Sequence, residues 1–332
     1  MSAHIISILG LAGKNFTKST YSKDLDLPLK SGDFYNSTHC LIDSFDKSAT
    51  YTFIGTQESI ALHKSLFENT PHFKEIFDKY TPIEIASDGI EDIFHHILES
   101  ITTTQSQNII LDITHGFRHQ PIIASSASIL AQINTNKSIT IIFAKEIEPR
   151  TKYQYISLDK YLQINLIAIS LQTFAKTLTV PQISKQESNP LIKVLKDFSI
   201  SLHANDFNSI FKNLDKTIAE LQKIKDSEDF KGLENILAEV NNILTTFTDI
   251  KCAQKDYDKH CKLATFMHQK GFYLIAATYI YEAIALYIVD DFKDNNFIDE
   301  TISSEYDLTS AVRFFVLSGE KPRDTKKQQK CH

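Results

Sequence analysis

Residues 108–121 read NIILDITHGFRHQP, an apolar run followed by a cluster of polar residues and a proline. The run Asn108–Ile113 has the length and the β-branched content of a buried strand, and Pro121 opens a helix of small residues predicted over 121–132. The polar cluster therefore lies where the carboxyl end of a strand meets the N-terminus of a helix. Ligands of open α/β sheets bind at this place, and the N–H groups of a helix N-terminus favour phosphate.

The segments on either side of this stretch alternate between strand and helix patterns. Strands are predicted at 4–9, 51–54, 83–86, 139–143 and 155–158, and helices at 59–80, 89–102 and 160–177. This alternation is typical of a doubly wound, Rossmann-like α/β sheet with parallel strands. The residues between the first two strands, 17–47, are predicted to form a polar insertion, either a hairpin or a long loop.

The second half of the chain has helical periodicity throughout. Apolar residues recur at three- and four-residue steps over 191–204, 206–225, 229–249, 256–269 and 271–292. Breaks between helices are predicted at Gly232 and Gly271. The change from α/β to all-α falls within 178–190, a stretch with the prolines and serines of a linker. We therefore predict an α/β domain over 1–180 and an all-α domain over 190–332.

The composition is that of a globular protein with two domains: 332 residues, 42% hydrophobic, 23% charged, with a formal net charge of −6. Both halves share the acidic excess, which predicts no binding of duplex DNA. The cysteines lack C-x-x-C spacing and predict unpaired thiols, with no zinc or other metal site: Cys40, Cys252, Cys261 and Cys331. No uninterrupted apolar run reaches about 18 residues and no secretory leader pattern is present, so we expect a cytoplasmic protein without a membrane span.

The polar cluster offers hydrogen-bond donors beside a glycine. Thr114, His115 and Arg118 carry donor groups, and Gly116 permits a ligand to approach the backbone closely. These residue types at this spacing indicate an anion or nucleotide site. The alternative is a structural role, in which Asp112 caps the turn and His115 is a satisfied packing residue.

The pentapeptide Asp112-Ile113-Thr114-His115-Gly116, followed by Phe117, Arg118 and Pro121, resembles the DxTHG motif of CRISPR-associated proteins of type III systems. Other segments resemble landmarks of that family in the same order: LGLAGK at 9–14, FIGTQES at 53–59, IFAKE at 142–146 and YISLD at 155–159. Together they cover roughly residues 1–180. The resemblance implies a CARF domain, a Rossmann-like sensor of cyclic oligoadenylate, whose two-fold dimers present the same loops twice to a symmetric ring.

The resemblance also implies which residues line the ligand. These are Thr114, His115, Gly116 and Arg118 from the motif, Gly10, Gly13 and Lys14 from the first loop, Thr56, Gln57 and Ser59 from the second, and Lys145 from a later strand. Simpler explanations exist: Gly10 and Gly13 as turn residues, and Lys14 as a solvated charge. Ser59 is equally explained as the N-cap of a helix that begins at Ile60. Some CARF domains also cleave the messenger slowly, a reaction that His115 or Lys145 would assist.

In this family an all-α HEPN domain usually follows the CARF domain and cuts single-stranded RNA without a metal, and residues 260–288 resemble its central helix. HEPN catalysis relies on Arg-x4-6-His, in which Arg stabilises charge on the phosphate and His positions or moves a proton. The arginines of this chain are Arg118, Arg150, Arg313 and Arg323, and none is followed by His at that spacing. We expect Arg313, Arg323 and His332 to belong to exposed surface and tail.

Two explanations of the missing motif stay open. Either the reading frame stops before the helix that carries it, or the helical half is a degenerate HEPN-like domain. The resemblance thus implies an antiviral homodimer that binds cyclic oligoadenylate and controls an endoribonuclease, with no cofactor and with its catalytic residues unassigned. The alternatives are a non-catalytic sensor whose helical half dimerises, and an unrelated Rossmann-like nucleotide enzyme, which the absence of G-x-G-x-x-G after the first strand disfavours.

Overall fold

The structure is a computed structural model that describes residues 3–12, 17–45, 48–68, 70–86, 90–135, 137–182, 189–294 and 305–318. The chain divides into two compact units: Met1–Ser170 with Pro181–Asn189, and Leu171–Val180 with Pro190–His332. The division falls within one helix, Asp159–Thr177. The limits predicted from the sequence, residues 180 and 190, lie in the same part of the chain.

A sheet of eight strands forms the centre of the first unit, as far as its described residues go. The strands are β1 (Ala3–Ile8), β2 (Ser19–Lys23), β3 (Gly32–Phe34), β4 (Thr50–Gly55), β5 (Ile83–Glu84), β6 (Asn108–Asp112), β7 (Ser138–Glu148) and β8 (Lys152–Ser157), in the order β3-β2-β8-β7-β6-β1-β4-β5. The strands from β7 to β5 are parallel, which confirms the predicted Rossmann-like α/β fold. The sheet is nevertheless mixed, because β8 runs antiparallel to β7 and the antiparallel pair β2–β3 extends it beyond β8.

Helices cover both faces of this sheet. In chain order the described helices of this part are α1 (Ser37–Phe45), α2 (Gln57–Phe67), α3 (Pro71–Lys79), α4 (Ile90–Thr103), α5 (Gln120–Asn134) and α6 (Asp159–Thr177). Ile5 of β1 belongs to a core cluster with α1, α2 and α3, whereas the next residue, Ile6, belongs to a cluster with α4 and α5. Successive strand residues point to opposite faces, so strands that are apolar throughout need cover on both sides.

Two sequence predictions for this unit were wrong in part. The segment 17–47 contains the predicted hairpin, β2–β3, but its residues 37–45 form α1 rather than a loop. Most of the α1 side chains are buried, so its sequence has no exposed polar face from which a helix could be recognised. The single helix predicted over 59–80 is two helices, because Pro71 occupies the first turn of α3 and starts a new helix there.

The second unit is helical, as predicted. Its described helices are α7 (Pro190–His203), α8 (Phe207–Lys225), α9 (Glu234–Lys251), α10 (Asp256–Gln269), α11 (Tyr273–Asp294) and α12 (Glu305–Ser318), with a 3-10 turn at Glu228–Phe230. The core between α7, α9 and α10 contains Phe198, Phe247 and Phe266. The rings of Phe198 and Phe266 pack edge to face on Phe247. Gly232 and Gly271, the predicted breaks, both have positive φ angles and lie before α9 and α11.

Arg313 was expected at the exposed surface, but in α12 it forms an ion pair with α11. Its guanidinium is paired with the Glu282 carboxylate of α11 through Nη2 at 2.7 Å and Nε at 3.1 Å. The hydroxyl of Tyr281 donates to the Arg313 carbonyl oxygen at 2.6 Å. Arg323 and His332 lie outside the described residues.

One helical stretch, Tyr273–Phe292, is long and apolar enough to cross a membrane by length and average composition, and 28% of it is buried. The sequence analysis did not anticipate this, because Glu282 interrupts the apolar run. Core helices of globular proteins meet the same criterion. Within the described residues no second helix meets it.

Candidate functional site

A cavity of about 750 Å³ lies at the carboxyl ends of β1, β4, β5 and β6, where the sequence predicted a site. The segments that follow these four strands line it: Leu9, Gly10, Leu11, Ala12; Gly55, Thr56, Gln57, Glu58, Ser59; Glu84, Ile85, Ala86; and Thr114, His115, Gly116, Phe117, Gln120. The volume is in the range of small-molecule and cofactor sites. Parallel strands bring these separate segments to one edge of the sheet.

Glycine at position 10 lets the first loop lie directly on the polar loop after β6. A Cβ atom at this position would lie 2.6 Å from the Cβ of His115 and 3.2 Å from the backbone nitrogen of Gly116. A contact of 2.6 Å between two Cβ atoms does not occur in real structures, so any other residue at Gly10 must separate the two loops. The glycine therefore contributes shape to the cavity as well as a turn.

Gly116 is required by its backbone conformation, since its φ angle is +109°. The turn that it permits brings the Phe117 N–H to the Oε1 atom of Gln120, which accepts at 2.9 Å. Gln120 is 3% exposed, although it is a polar residue at the first position of α5. Its side chain thus fixes the entry into α5 at the wall of the cavity.

Helix α2 also begins at the cavity. Thr56 is its N-cap, and the Thr56 hydroxyl accepts from the Ser59 N–H at 3.4 Å. The Ser59 hydroxyl donates to the Thr56 carbonyl oxygen at 2.9 Å and is buried. The alternative in which Ser59 is the N-cap is therefore wrong, because the helix begins at Gln57 and not at Ile60. The first N–H groups of α2 have no partners within the helix and suit an anion.

Asp112, the first residue of the motif, is completely buried and holds the turn. Its Oδ1 accepts from the Thr114 N–H at 2.9 Å and from the Thr114 hydroxyl, and its Oδ2 accepts from the Ser37 hydroxyl at 2.7 Å. Burial raises the pKa of Asp112, while the hydrogen bonds from Ser37 and Thr114 oppose this shift. The Thr114 hydroxyl also accepts from the Ala144 N–H at 2.9 Å. Because that hydroxyl proton goes to Asp112, Thr114 shapes the cavity wall rather than offering this proton to a ligand.

His115 is half-buried in the cavity wall, and burial lowers its pKa to about 4, so the ring is neutral at pH 7. Its Nε2 atom accepts from the Ser37 backbone N–H at 3.3 Å. A neutral imidazole carries one proton, which must then be on Nδ1. Among the described residues Nδ1 has no hydrogen-bond partner. His115, a lining residue of the cavity, thus carries a donor at Nδ1 that no described residue accepts.

The predicted ligand residues divide into three groups. Those that line the cavity are Gly10, Thr56, Gln57, Ser59, Thr114, His115 and Gly116. Arg118 and Lys145 are exposed and do not line it: Arg118 lies past the turn, and β7 carries Lys145 three residues beyond Ile142, which pairs with Asp112. Gly13 and Lys14 lie outside the described residues.

Sequence reasoning missed several lining residues. Gln120 and the acidic residues Glu58 and Glu84 lie in the wall, and no Lys or Arg does so among the described lining residues. Gln120 is the first residue of α5 and does not have the capping-box spacing, so no local signal identified it. The position of Glu84 depends on β5 pairing with β4, which no local pattern encodes.

Residues 4–149 match a family model described as the CARF domain of the CRISPR system endoribonuclease Csx1. The first unit contains a CARF domain. The predicted resemblance to CARF-containing proteins of type III CRISPR systems is thereby confirmed, and the motif at 112–116 lies inside the match. Residues 150–332, with the whole of α7 to α12, lie outside it. No curated protein sequence matches the chain.

Proposed function

We propose that this protein binds cyclic oligoadenylate in the cavity of its CARF domain and passes that signal to the helical unit. The observation that carries the proposal is the cavity itself: the glycine-containing loop, the N-terminus of α2 and the motif at 112–116 meet there. The N-termini of α2 and α5 and the neutral His115 contribute hydrogen-bond donors to this wall. Phosphate oxygens and ribose hydroxyls are the acceptors that such a wall fits.

The remaining walls suit a purine base. Leu11 and Phe117 are 43% and 44% exposed, and both line the cavity beside the buried Leu9 and Ile85. The Phe117 ring lies parallel to the imidazole of His119, with centroids 5.9 Å apart. Exposed aromatic rings next to phosphate-binding groups are a common platform for bases in single-stranded nucleic acids.

The lining of one chain is acidic, because Glu58 and Glu84 carry its formal charges among the described residues. A polyphosphate ring therefore needs positive charge from outside this wall. The family resemblance implies that Lys14 and Arg118 line the ligand, and we propose that they supply this charge, twice each for a symmetric ring on a dimer. Binding should then weaken as the salt concentration rises.

The proposal includes a homodimer, supported by one face of α11. Tyr273, Ala277, Ile280, Ile284 and Tyr287 are exposed at alternating four- and three-residue steps, the spacing of a helix–helix seam. A surface cavity of about 540 Å³ between α10 and α11 adjoins this face. Glu282, the charged residue within this stretch, is paired with Arg313. An uncharged, self-complementary stripe fits a second copy of the chain across a two-fold axis.

For the helical unit the proposed output is control of metal-independent cleavage of single-stranded RNA. The alternative is a non-catalytic sensor, and the ion pair between Arg313 and Glu282 favours it. A catalytic arginine must present its charge to the scissile phosphate. The Arg313 guanidinium is instead neutralised by a carboxylate. The third possibility is slow cleavage of the messenger. Nε2 of His115 does not support it, because the lone pair of this atom already accepts from the Ser37 N–H.

Calorimetric titration with cyclic tetra-adenylate and cyclic hexa-adenylate tests the proposal, with linear tetra-adenylate as the control ligand. One ring per two chains, with the linear form much weaker, is the expected result. His115→Ala should reduce affinity, whereas His95→Ala, an exposed histidine of α4, should not. Absence of binding by either ring would remove the proposal. Cleavage of single-stranded RNA that rises with the ring and persists in EDTA would decide for the nuclease over the sensor.

A further inference from the structure

Behind the cavity, the residues that begin α1 connect three of the four segments that line it, those after β1, β4 and β6. Asn36 and Ser37 are both 0% exposed, although they are polar. We propose that Asn36 and Ser37 are positioning residues of the ligand site, which fix the tautomer and orientation of His115 and hold the first loop and α2 beside it. This inference rests on the proposed binding of cyclic oligoadenylate.

Ser37 uses two groups to hold the polar loop and a third to hold β8. Its backbone N–H donates to Nε2 of His115 at 3.3 Å, and its hydroxyl donates to Oδ2 of Asp112 at 2.7 Å. Its carbonyl oxygen accepts from the hydroxyl of Tyr155 at 3.2 Å, which ties the segment to β8. Both ends of the Asp112–His115 turn are therefore bonded to one residue, 75 to 78 positions away in the sequence.

The backbone donor decides which proton His115 carries. An N–H can only donate, so Nε2 must be the unprotonated nitrogen and Nδ1 the protonated one. Without this bond both tautomers of the neutral ring would be available. A ring with the proton on Nε2 would present a lone pair to the phosphate oxygens in place of a donor. Ser37 thus keeps Nδ1 as the donor atom of His115, a residue that lines the cavity.

Asn36 holds the first loop and α2 in the same way. Its Nδ2 atom donates to the Ala12 carbonyl oxygen at 3.3 Å and to Nε2 of His63 at 3.1 Å. Its Oδ1 accepts from the His39 N–H at 2.9 Å, which fixes the orientation of the amide. His63, buried in α2, donates from Nδ1 to the Ser59 carbonyl oxygen at 2.8 Å. One amide therefore joins the first loop to the N-terminal turn of α2.

Every donor and acceptor in this set has one assignment. The carbonyl oxygens of Ala12 and Ser59 can only accept, which fixes Asn36 as donor and His63 as donor from Nδ1. Burial lowers the pKa of His63 to about 4, so this ring is neutral as the assignment requires. Buried polar networks that are fully satisfied specify one geometry, because each alternative leaves a group unpaired.

Two substitutions at Ser37 separate its hydroxyl from its N–H. Ser37→Ala removes the hydroxyl and keeps the N–H, whereas Ser37→Pro removes both. Ser37 is the first residue of α1, where proline fits the helix. Ser44→Ala is the matched control on the same helix, since its hydroxyl bonds the Cys40 carbonyl oxygen and the Lys30 N–H away from the cavity.

The expected order of affinity for cyclic oligoadenylate is wild type and Ser44→Ala, then Ser37→Ala, weaker by about threefold, then Ser37→Pro, weaker by about tenfold more. Nitrogen-15 NMR of the His115 ring should report the Nδ1-protonated tautomer in wild type and Ser37→Ala, and a mixture in Ser37→Pro. Thermal unfolding of each variant shows that it is folded. If Ser37→Pro does not fold, Asn36→Ala replaces it, with an expected loss of affinity of about tenfold.

The outcomes separate the two proposals. If the wild-type protein binds no cyclic oligoadenylate, the proposed function fails. If wild type binds and the folded Ser37→Pro and Asn36→Ala variants bind equally well, the positioning role is overturned. An unchanged His115 tautomer in folded Ser37→Pro would overturn the assignment of that tautomer to Ser37.

Discussion

At the scale of single residues, the shape of the cavity depends on two glycines, and their replacement is unfavourable for different reasons. Gly10 lacks room for a side chain, whereas Gly116 lacks both room and an accessible backbone conformation. A Cβ atom at Gly116 would collide with Oε1 of Gln120 and would lie 2.8 Å from Cγ2 of Ile8. The geometry of the motif therefore depends on the absence of a side chain at Gly10 and at Gly116.

Gly116→Ala should destabilise the first unit by about 2–4 kcal/mol, through a strained φ angle and a steric clash. Gly32→Ala is the control in the same unit, because its new Cβ would meet only ring carbons of Phe34 at 3.6 Å. Urea denaturation followed by circular dichroism measures both. Equal stability of the two variants would contradict the packing described for Gly116.

For Asp112 the folded pKa lies above its ordinary value of 3.8 because of burial. The folded state then keeps a proton that the unfolded chain has lost, so the free energy of unfolding falls as the pH rises from about 4 toward the folded pKa. Asp112→Asn removes this cost and keeps an acceptor for the Thr114 N–H. The stability of the variant relative to wild type should therefore increase with pH above 4, as measured by urea denaturation at several pH values.

Asp112→Ala is the contrast, because it leaves the hydroxyls of Ser37 and Thr114 without their acceptor. We expect it to lose about 3 kcal/mol at pH 7. If Asp112→Asn loses as much as Asp112→Ala, the carboxylate charge itself holds the turn.

The local sequence contained the information for His115, Gly116 and Thr56, since each lies in a motif at the end of a strand. It contained none for Asn36 and Ser37. Their partners are up to 78 positions away, and side chains as short as these become network residues only after the sheet has formed. The tautomer of His115 follows from such a distant contact and could not be read from the motif.

At the scale of elements, the C-terminus of α4 is bonded to the buried ammonium group of Lys137. The ammonium group of Lys137 donates to the carbonyl oxygens of Ile101 at 2.6 Å, Thr102 at 3.0 Å and Thr104. These are the last carbonyls of α4 and of the residue after it, which have no partners within the helix. A cation at this end also complements the helix dipole.

Lys137→Met should destabilise the first unit by about 2 kcal/mol, because three carbonyl oxygens lose a charged donor. Lys152→Met is the matched control, since Lys152 pairs with Glu148 on the surface and surface pairs contribute little. Thermal unfolding at low salt compares the two. Equal melting temperatures would show that water replaces the Lys137 ammonium without cost.

Strands that are short, apolar runs were predictable, as β1, β4, β6 and β7 show. Helix α1 was not, because burial of nearly all its side chains removes the pattern on which prediction depends. The antiparallel direction of β8 was also beyond local reasoning. It follows from a turn at 149–151 that returns the chain beside β7, and the alternation of strands and helices carries no signal for it.

At the scale of the whole molecule, the first unit contains several buried neutral histidines. Burial lowers the pKa of His4, His39, His63 and His115 to about 4 each. The unfolded chain binds protons on these rings between pH 6.5 and 4, and the folded unit does not. Their contribution to stability is therefore complete above pH 6.5 and is lost as the pH falls toward 4.

The free energy of unfolding of the first unit should fall as the pH is lowered from 6.5 toward 4, with each ring adding a slope of at most about 1.4 kcal/mol per pH unit. Hydrogen exchange with mass spectrometry, corrected for the intrinsic exchange rate, follows peptides from β1 and β6. His63→Gln should reduce the slope by one proton. A free energy of opening that does not change between pH 7 and 5 would contradict the neutral state of these rings.

The proposed dimer makes a prediction about α11. Ile284→Asp places a charge in the middle of its exposed apolar stripe and should convert the dimer to a monomer, as measured by light scattering after gel filtration. Ile218→Asp is the control, because Ile218 of α8 is 38% exposed, close to the 44% of Ile284, and lies outside the stripe. Loss of the dimer in both variants would indicate a general effect of added charge.

The edge strands of the sheet in the first unit are much shorter than the strand β7 inside it. Its outermost strands, β3 and β5, have three and two residues, against eleven in β7. An outside chain that added itself as a further strand would find backbone partners over two or three residues, too few to hold it. Among the described residues, both edges of the sheet therefore offer a further copy of the chain little backbone for edge-to-edge pairing into fibres.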